Sequence, residues 1–177
     1  MRVVAGRWGG RRLQAPPGDA TRPTSDRVRE ALFSILGRRV EGARVLDLFA
    51  GSGALGIEAL SRGASEVTFV DSAPAALRAI RFNLEALGAT AEVRRVDARG
   101  FLGSASGDGR QYDLVFLDPP YRLARRLGDE LTAALAAVLA PGAAVVAESD
   151  RREPLALELP ILDERRYGDT LIRIHGP

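Results

Sequence analysis

The chain has 177 residues, 46% of them apolar, which suits one domain with a substantial core. It has no cysteine, so disulfides, thiolate metal sites and thiol nucleophiles are excluded. Its one histidine, His175, cannot build a His-based triad or a His-rich metal site and is expected at the surface.

The net charge is only +2, yet residues 1–39 hold nine arginines against three acids, a local +6 that leaves −4 for the remainder. All 25 basic residues are arginine. The planar guanidinium fork suits phosphates and guanine edges, so a basic arm beside an acidic body points to a nucleic-acid partner. No apolar run reaches the ~18 residues of a membrane span, and the first residues lack the apolar region of a signal peptide. The chain is therefore expected to be soluble and cytoplasmic, a monomer without membrane or metal partners.

In chain order, "RVVAGRWGGRRLQAPPG" opens with a short strand-like run and turns Gly/Pro-rich, which predicts an extended arm with a hairpin at Gly9-Gly10. The arm is assigned to residues 1–22 and a single α/β domain to 23–177. In "RPTSDRVREALFSIL", Thr24 or Ser25 caps a helix whose apolar stripe is Val28, Ala31, Leu32, Ile35 and Leu36, with Arg27 and Arg29 facing solvent or a ligand.

From Ala43 onward, "ARVLDLF", "EVTFVD", "AEVRRVD", "YDLVFLD" and "GAAVVAES" alternate with helical segments. Such runs predict a mostly parallel sheet covered on both faces, a Rossmann-like sandwich. "GSASGDG", from Gly103 to Gly109, reads as a surface loop. "ILDERRY" and "TLIRIH" around Gly168-Asp169 predict a closing antiparallel hairpin.

Four acids fall at or near strand ends: Asp47, Asp71, Asp97 and Asp118. Ligands of doubly wound sheets bind outside the carboxyl ends of the strands, so these acids are expected to line one crevice. Gly51, Gly53 and Gly56 form G-x-G-x-x-G, and Asp71 follows Gly51 by 20 residues, a spacing that places an acid at the ribose hydroxyls of an adenosine-containing ligand. A pyrophosphate beside Asp47 would meet like charge, whereas the ammonium and sulfonium of S-adenosylmethionine would be attracted. Asp47 thus argues for a methyl donor and against NAD.

"VFLDPPY" fits the same chemistry. An exocyclic base amine is a poor nucleophile because its lone pair is conjugated, so it needs hydrogen-bond acceptors that aim that lone pair at the methyl. Asp118 supplies one acceptor and the Pro119 carbonyl another; Pro120 stiffens the turn, and Tyr121 offers a stacking face. Methylation at pyrimidine C5 generally needs a cysteine, so the absence of cysteine favours an exocyclic nitrogen target.

These blocks resemble the class I S-adenosylmethionine-dependent methyltransferases and, more narrowly, the RsmD family of bacterial 16S rRNA guanine-N2 methyltransferases. "RPTSDRVREALFSIL" is the most diagnostic block, and "LDLFAGSGALGIEALSRGASEVTFVD" is the longest. The resemblance implies that Asp47, Gly51 and Gly53 hold the methionine part of the donor, that Asp71 takes the ribose and Asp97 with Ala98 the adenine, and that Phe49 and Ser72 also belong to the donor site. It implies further that Asp118, Pro119, Pro120 and Tyr121 hold the guanine. Arg7, Arg11, Arg12, Arg22, Arg27 and Arg29 would contact 16S rRNA of an assembling small subunit. The alternatives are an adenine-N6 or cytosine-N4 methyltransferase, which normally carries an extra recognition domain, an NAD-dependent oxidoreductase and a non-catalytic RNA-binding module. Removal of residues 1–20 is expected to weaken RNA binding and leave donor affinity nearly unchanged.

Overall fold

The computed structural model of the chain describes residues 1–17, 25–119, 128 and 131–176. Pro120, Tyr121, Arg22 and Thr24 lie outside the described residues. Alternation of apolar runs with amphipathic segments yields β1 (Arg44–Leu48), β2 (Glu66–Asp71), β3 (Glu92–Arg95), β4 (Tyr112–Leu117) and β5 (Leu139–Asp150), with helices α2 (Ala54–Ser61), α3 (Pro74–Leu87) and α4 (Ala98–Gly107) between the first four. Residues 131–136 are helical ahead of β5. Two further strands, β6 (Ile161–Tyr167) and β7 (Thr170–His175), close the chain.

The sheet order is β3-β2-β1-β4-β5-β7-β6. The first five strands pair in parallel, and β7 joins β5 and β6 antiparallel, as the two expected motifs require. The chain winds outward from β1 to β3, then resumes on the other side with β4, so a topological switch point falls between β1 and β4. Side chains of odd and even positions separate onto two faces. Val45, Phe69, Leu114, Phe116 and Val146 pack in the core shared with α1 (Asp26–Leu36) and α2. Leu46, Val70, Val115, Leu117 and Val145 pack in the core shared with α4.

Local details differ from the sequence expectations in several places. "GSASGDG" is mostly the second half of α4: Ala105 is buried among apolar residues there, and packing outweighs the low helix propensity of its glycines. Ser25, one of the two expected caps, does cap α1, its Oγ accepting from the Val28 N–H at 3.3 Å. The helix buries Arg29, Leu32, Phe33 and Leu36, a stripe one step round from the expected one, with Ile35 exposed.

Arg29 therefore does not face solvent. Its guanidinium is 0% exposed, pairs with Asp26 at 2.8 Å and donates to the Arg2 carbonyl. His175 is also buried, at 1% exposure, with Nδ1 3.0 Å from the Leu159 carbonyl; desolvation lowers its pKa.

The arm is a docked hairpin, and since the Gly10 N–H donates to the Val3 carbonyl its turn lies ahead of Gly10 rather than at Gly9-Gly10. Arg2 bridges Arg12, and Val3 and Leu13 are buried in the core with α1 and α2. Glu58 of α2, fully buried, accepts the Val4 N–H at 2.7 Å and the Ala5 N–H at 3.0 Å. Ser61 takes the Trp8 N–H on its Oγ and the Arg7 N–H on its carbonyl. Gly6 sits at φ +81°, where a Cβ would stand 2.0 Å from the Ser61 carbonyl oxygen, so only glycine lets the two backbones approach this closely. Removing the first 20 residues would thus expose core, and the truncation does not isolate an RNA-binding role.

Candidate active site at the carboxyl edge of the sheet

The residue two-step of parallel strands places four acids side by side. Asp71, Asp47, Asp118 and Glu148 continue the alternation of Phe69, Val45, Phe116 and Val146, so all four lie on the α2 side at the carboxyl ends of β2, β1, β4 and β5. Asp47 and Asp118 flank the switch point. Glu148 was not anticipated from the sequence, although the apolar alternation through Ala144 and Val146 runs directly to it.

Asp71 organises the loops. Its Oδ2 accepts the Gly51 N–H at 2.9 Å, which ties down the loop after β1, and its Oδ1 accepts the Ala73 N–H at 2.8 Å. Asp47 is 2% exposed and accepts the Gly56 N–H at 2.9 Å, near the start of α2. Desolvation pushes its carboxyl up to about 8; the Gly56 bond opposes the rise and Asp71 adds to it. Asp118 is raised well above the usual carboxylate range by desolvation, then by Glu148 and Asp47. A cation entering between these groups would relieve all of them.

The glycine loop leaves room for such a ligand. Gly51 has φ +55°, and a Cβ there would meet only the Phe49 carbonyl oxygen, at 3.9 Å, so this glycine borders open space. Phe49 itself has φ +61°, a strained conformation for an aromatic residue and one that clusters at functional sites. Gly56 serves packing instead: a Cβ would lie 2.3 Å from the Phe69 ring.

The remaining expected residues are placed as follows. Asp97 follows β3 and caps α4, its Oδ1 accepting the Gly100 N–H at 2.9 Å, with Ala98 buried behind it and Ser72 exposed. Pro119 is buried directly after Asp118. Arg7, Arg11, Arg12 and Arg27 are exposed; Arg7 lies over the Trp8 ring at 5.4 Å, and Arg11 donates to the Ala86 carbonyl at 2.9 Å.

A parallel sheet closed by an antiparallel strand pair, a glycine loop after β1 and an acid at the end of β2 define a Rossmann-like S-adenosylmethionine-dependent methyltransferase. The family model described as Conserved hypothetical protein 95 matches residues 1–176, and the chain belongs to this family, the RsmD family. Ribosomal RNA small subunit methyltransferase D of Escherichia coli is 43% identical over 123 residues, a match spanning 69% of this chain and 61% of that protein. A solved Escherichia coli structure, yhhF, described as a methyltransferase, superposes with a TM-score of 0.85 at 36% identity, covering 99% of this chain and 97% of that one. The Thermus thermophilus 16S rRNA N2 methyltransferase RsmC, solved with AdoMet and guanosine, gives a TM-score of 0.67 at 25% identity over 92% of this chain and 45% of that one.

Proposed function

We propose that this enzyme transfers a methyl group from S-adenosylmethionine to the exocyclic N2 amine of one guanine in 16S rRNA of the small ribosomal subunit. The observation that carries the reading is the placement of Asp118 across the switch point from Asp47, on the same face of the sheet. A donor cation beside one carboxylate thereby lies next to the acceptor that orients the amine.

The donor would supply an electrophilic methyl on a sulfonium. Asp47, with Gly51 and Gly53, would hold its methionine end, Asp71 with Ser72 its ribose hydroxyls, and Asp97 with Ala98 its adenine. Asp118 and the Pro119 carbonyl accept the two amine hydrogens, so the lone pair of nitrogen faces the methyl. A donor cation held beside Asp47 would favour the ionised, accepting form of Asp118, while desolvation, then Glu148 and Asp47, raise the proton affinity of Asp118, which would suit it to take the proton the methylated amine sheds. Exposed Arg7, Arg11, Arg12 and Arg27 would face the rRNA backbone, whereas Arg29 braces the hairpin from within.

The test is methyl transfer from labelled S-adenosylmethionine to small subunits lacking base methylation, with product nucleosides identified by mass spectrometry. Wild type is expected to yield N2-methylguanosine, and Asp118→Ala to lower the rate roughly 100-fold or more with donor binding retained. A product other than N2-methylguanosine, or an unchanged rate in the variant, overturns the assignment.

A further inference from the structure

Asn83 of α3 joins the N-terminal hairpin to the glycine loop. It is 1% exposed, and its amide is used on both sides. One or the other Nδ2 hydrogen reaches the Gln14 carbonyl at 2.9 Å and the Ser52 carbonyl at 3.0 Å, while Oδ1 accepts the Gln14 N–H at 2.8 Å. Ser52 stands between Gly51 and Gly53, both at positive φ; the Gly53 N–H of the same peptide unit donates to the Ala50 carbonyl at 2.7 Å, and the Asn83 bond is a second hold on that unit, from outside the loop. The first residue touches the same point: the Ser52 hydroxyl donates to Met1 Sδ at 3.6 Å. At its other end the hairpin is held by Glu58 and Ser61, on the helix that starts right after Gly53. The hairpin therefore cannot shift on α2 without breaking the Asn83 amide bonds or moving Ser52.

We infer that Asn83 is a positioning residue that couples rRNA binding on the hairpin to donor binding at the glycine loop. The inference rests on the functional reading above, which places rRNA on the exposed arginines of the hairpin. Either ligand, by holding its own segment, holds the shared amide in the arrangement the other ligand needs. The coupling is reciprocal by linkage: whatever factor rRNA adds to donor affinity, the donor adds to rRNA affinity. Asn83 contacts neither ligand, so its loss should remove the factor rather than either binding site.

Equilibrium dialysis of labelled S-adenosylhomocysteine with the full-length protein, with and without small subunits lacking base methylation, reads the factor directly. Wild type is expected to bind the thioether about 5-fold or more tightly when the subunits are present. Asn83→Ala should bring that ratio close to one. Leu84→Ala, a lesion of the adjacent buried core residue on the same helix, should lower the thermal midpoint at least as much and keep the ratio. The inference is overturned if wild type binds both ligands with a ratio of one, if Asn83→Ala keeps the wild-type ratio, or if Leu84→Ala loses it equally. Failure of wild type to bind the subunits at all, with the thioether bound normally, overturns the functional reading and takes the coupling with it.

Discussion

At the hairpin, Glu58 is fully buried yet receives two backbone N–H groups and the Arg62 guanidinium at 2.7 Å, whereas at the carboxyl edge desolvation, and then the neighbouring Glu148 and Asp47, raise the proton affinity of Asp118. Both regions put carboxylates into a poorly solvated place. In one the compensating donors are in place; in the other, among the described residues, Asp47 accepts a single backbone N–H and Asp118 faces two further carboxylates. A saturated buried acid is a fastener, whereas acids gathered on one edge are, on the reading proposed above, a cation site held ready at a cost in stability.

Opposite stability effects of two substitutions test the contrast most strongly. Glu58→Ala leaves the Val4 and Ala5 N–H groups without their acceptor and should cost about 3–5 kcal/mol, a large fraction of a domain's stability. Asp118→Asn removes a repelled charge and should raise stability by about 1 kcal/mol while activity collapses. Urea unfolding midpoints of the two variants check both signs. A destabilised Asp118→Asn protein would mean that the carboxylate is held by interactions inside the protein rather than reserved for substrate.

The same contrast has a pH signature. The folded-state pKa of Asp47, about 8, lies above its unfolded value of 3.8, so the folded protein holds that proton more tightly. Its contribution favours folding below pH 3.8 and is lost progressively as pH rises toward about 8. Donor affinity should run the other way: a cation binds the ionised form, so the dissociation constant of S-adenosylmethionine should fall as pH rises and level off above about 8, by up to about tenfold per unit. Asp47→Asn should weaken binding by about 10–100-fold near pH 8 and flatten the profile. Calorimetric titration from pH 6 to 9 decides it, since a flat wild-type profile would remove Asp47 from the donor site.

What could be read from the sequence divides along the same line. The five parallel strands, the closing hairpin and the acids at positions 47, 71 and 118 follow from patterns local in the chain: apolar runs, a glycine spacing, the last residue of a strand. Glu148 could have been reached by the same count, because it shares the two-residue period of Ala144 and Val146. Docking of the hairpin could not. Its fasteners, Glu58, Ser61 and Asn83, sit on helices 53 to 69 positions away from their partners, and nothing near them marks a polar residue as buried. For the same reason Arg29 and His175 read as surface groups: each is buried by a partner, Arg2 or Leu159, that only the tertiary fold brings near. The Gly103–Gly109 stretch failed differently, since local composition favoured a loop and packing of Ala105 decided for helix.

The smallest expected effect separates the two kinds of arginine on the hairpin and α1. Arg7 and Arg12 are exposed, so Arg7→Ala with Arg12→Ala should change stability by no more than about 0.5 kcal/mol. Binding to small subunits should weaken, and the slope of log affinity against log salt should flatten by about 0.7–0.9 for each phosphate no longer neutralised. Arg29→Ala, by contrast, should lower the unfolding midpoint and leave the salt slope of the folded protein as it was, because its guanidinium is committed to Asp26 and the Arg2 carbonyl. Filter binding across a salt series with these two proteins distinguishes the roles. An unchanged slope in the double variant would place the phosphate-binding groups away from the hairpin, and the arginine excess of the first 39 residues would then belong to the architecture that Arg29 already serves.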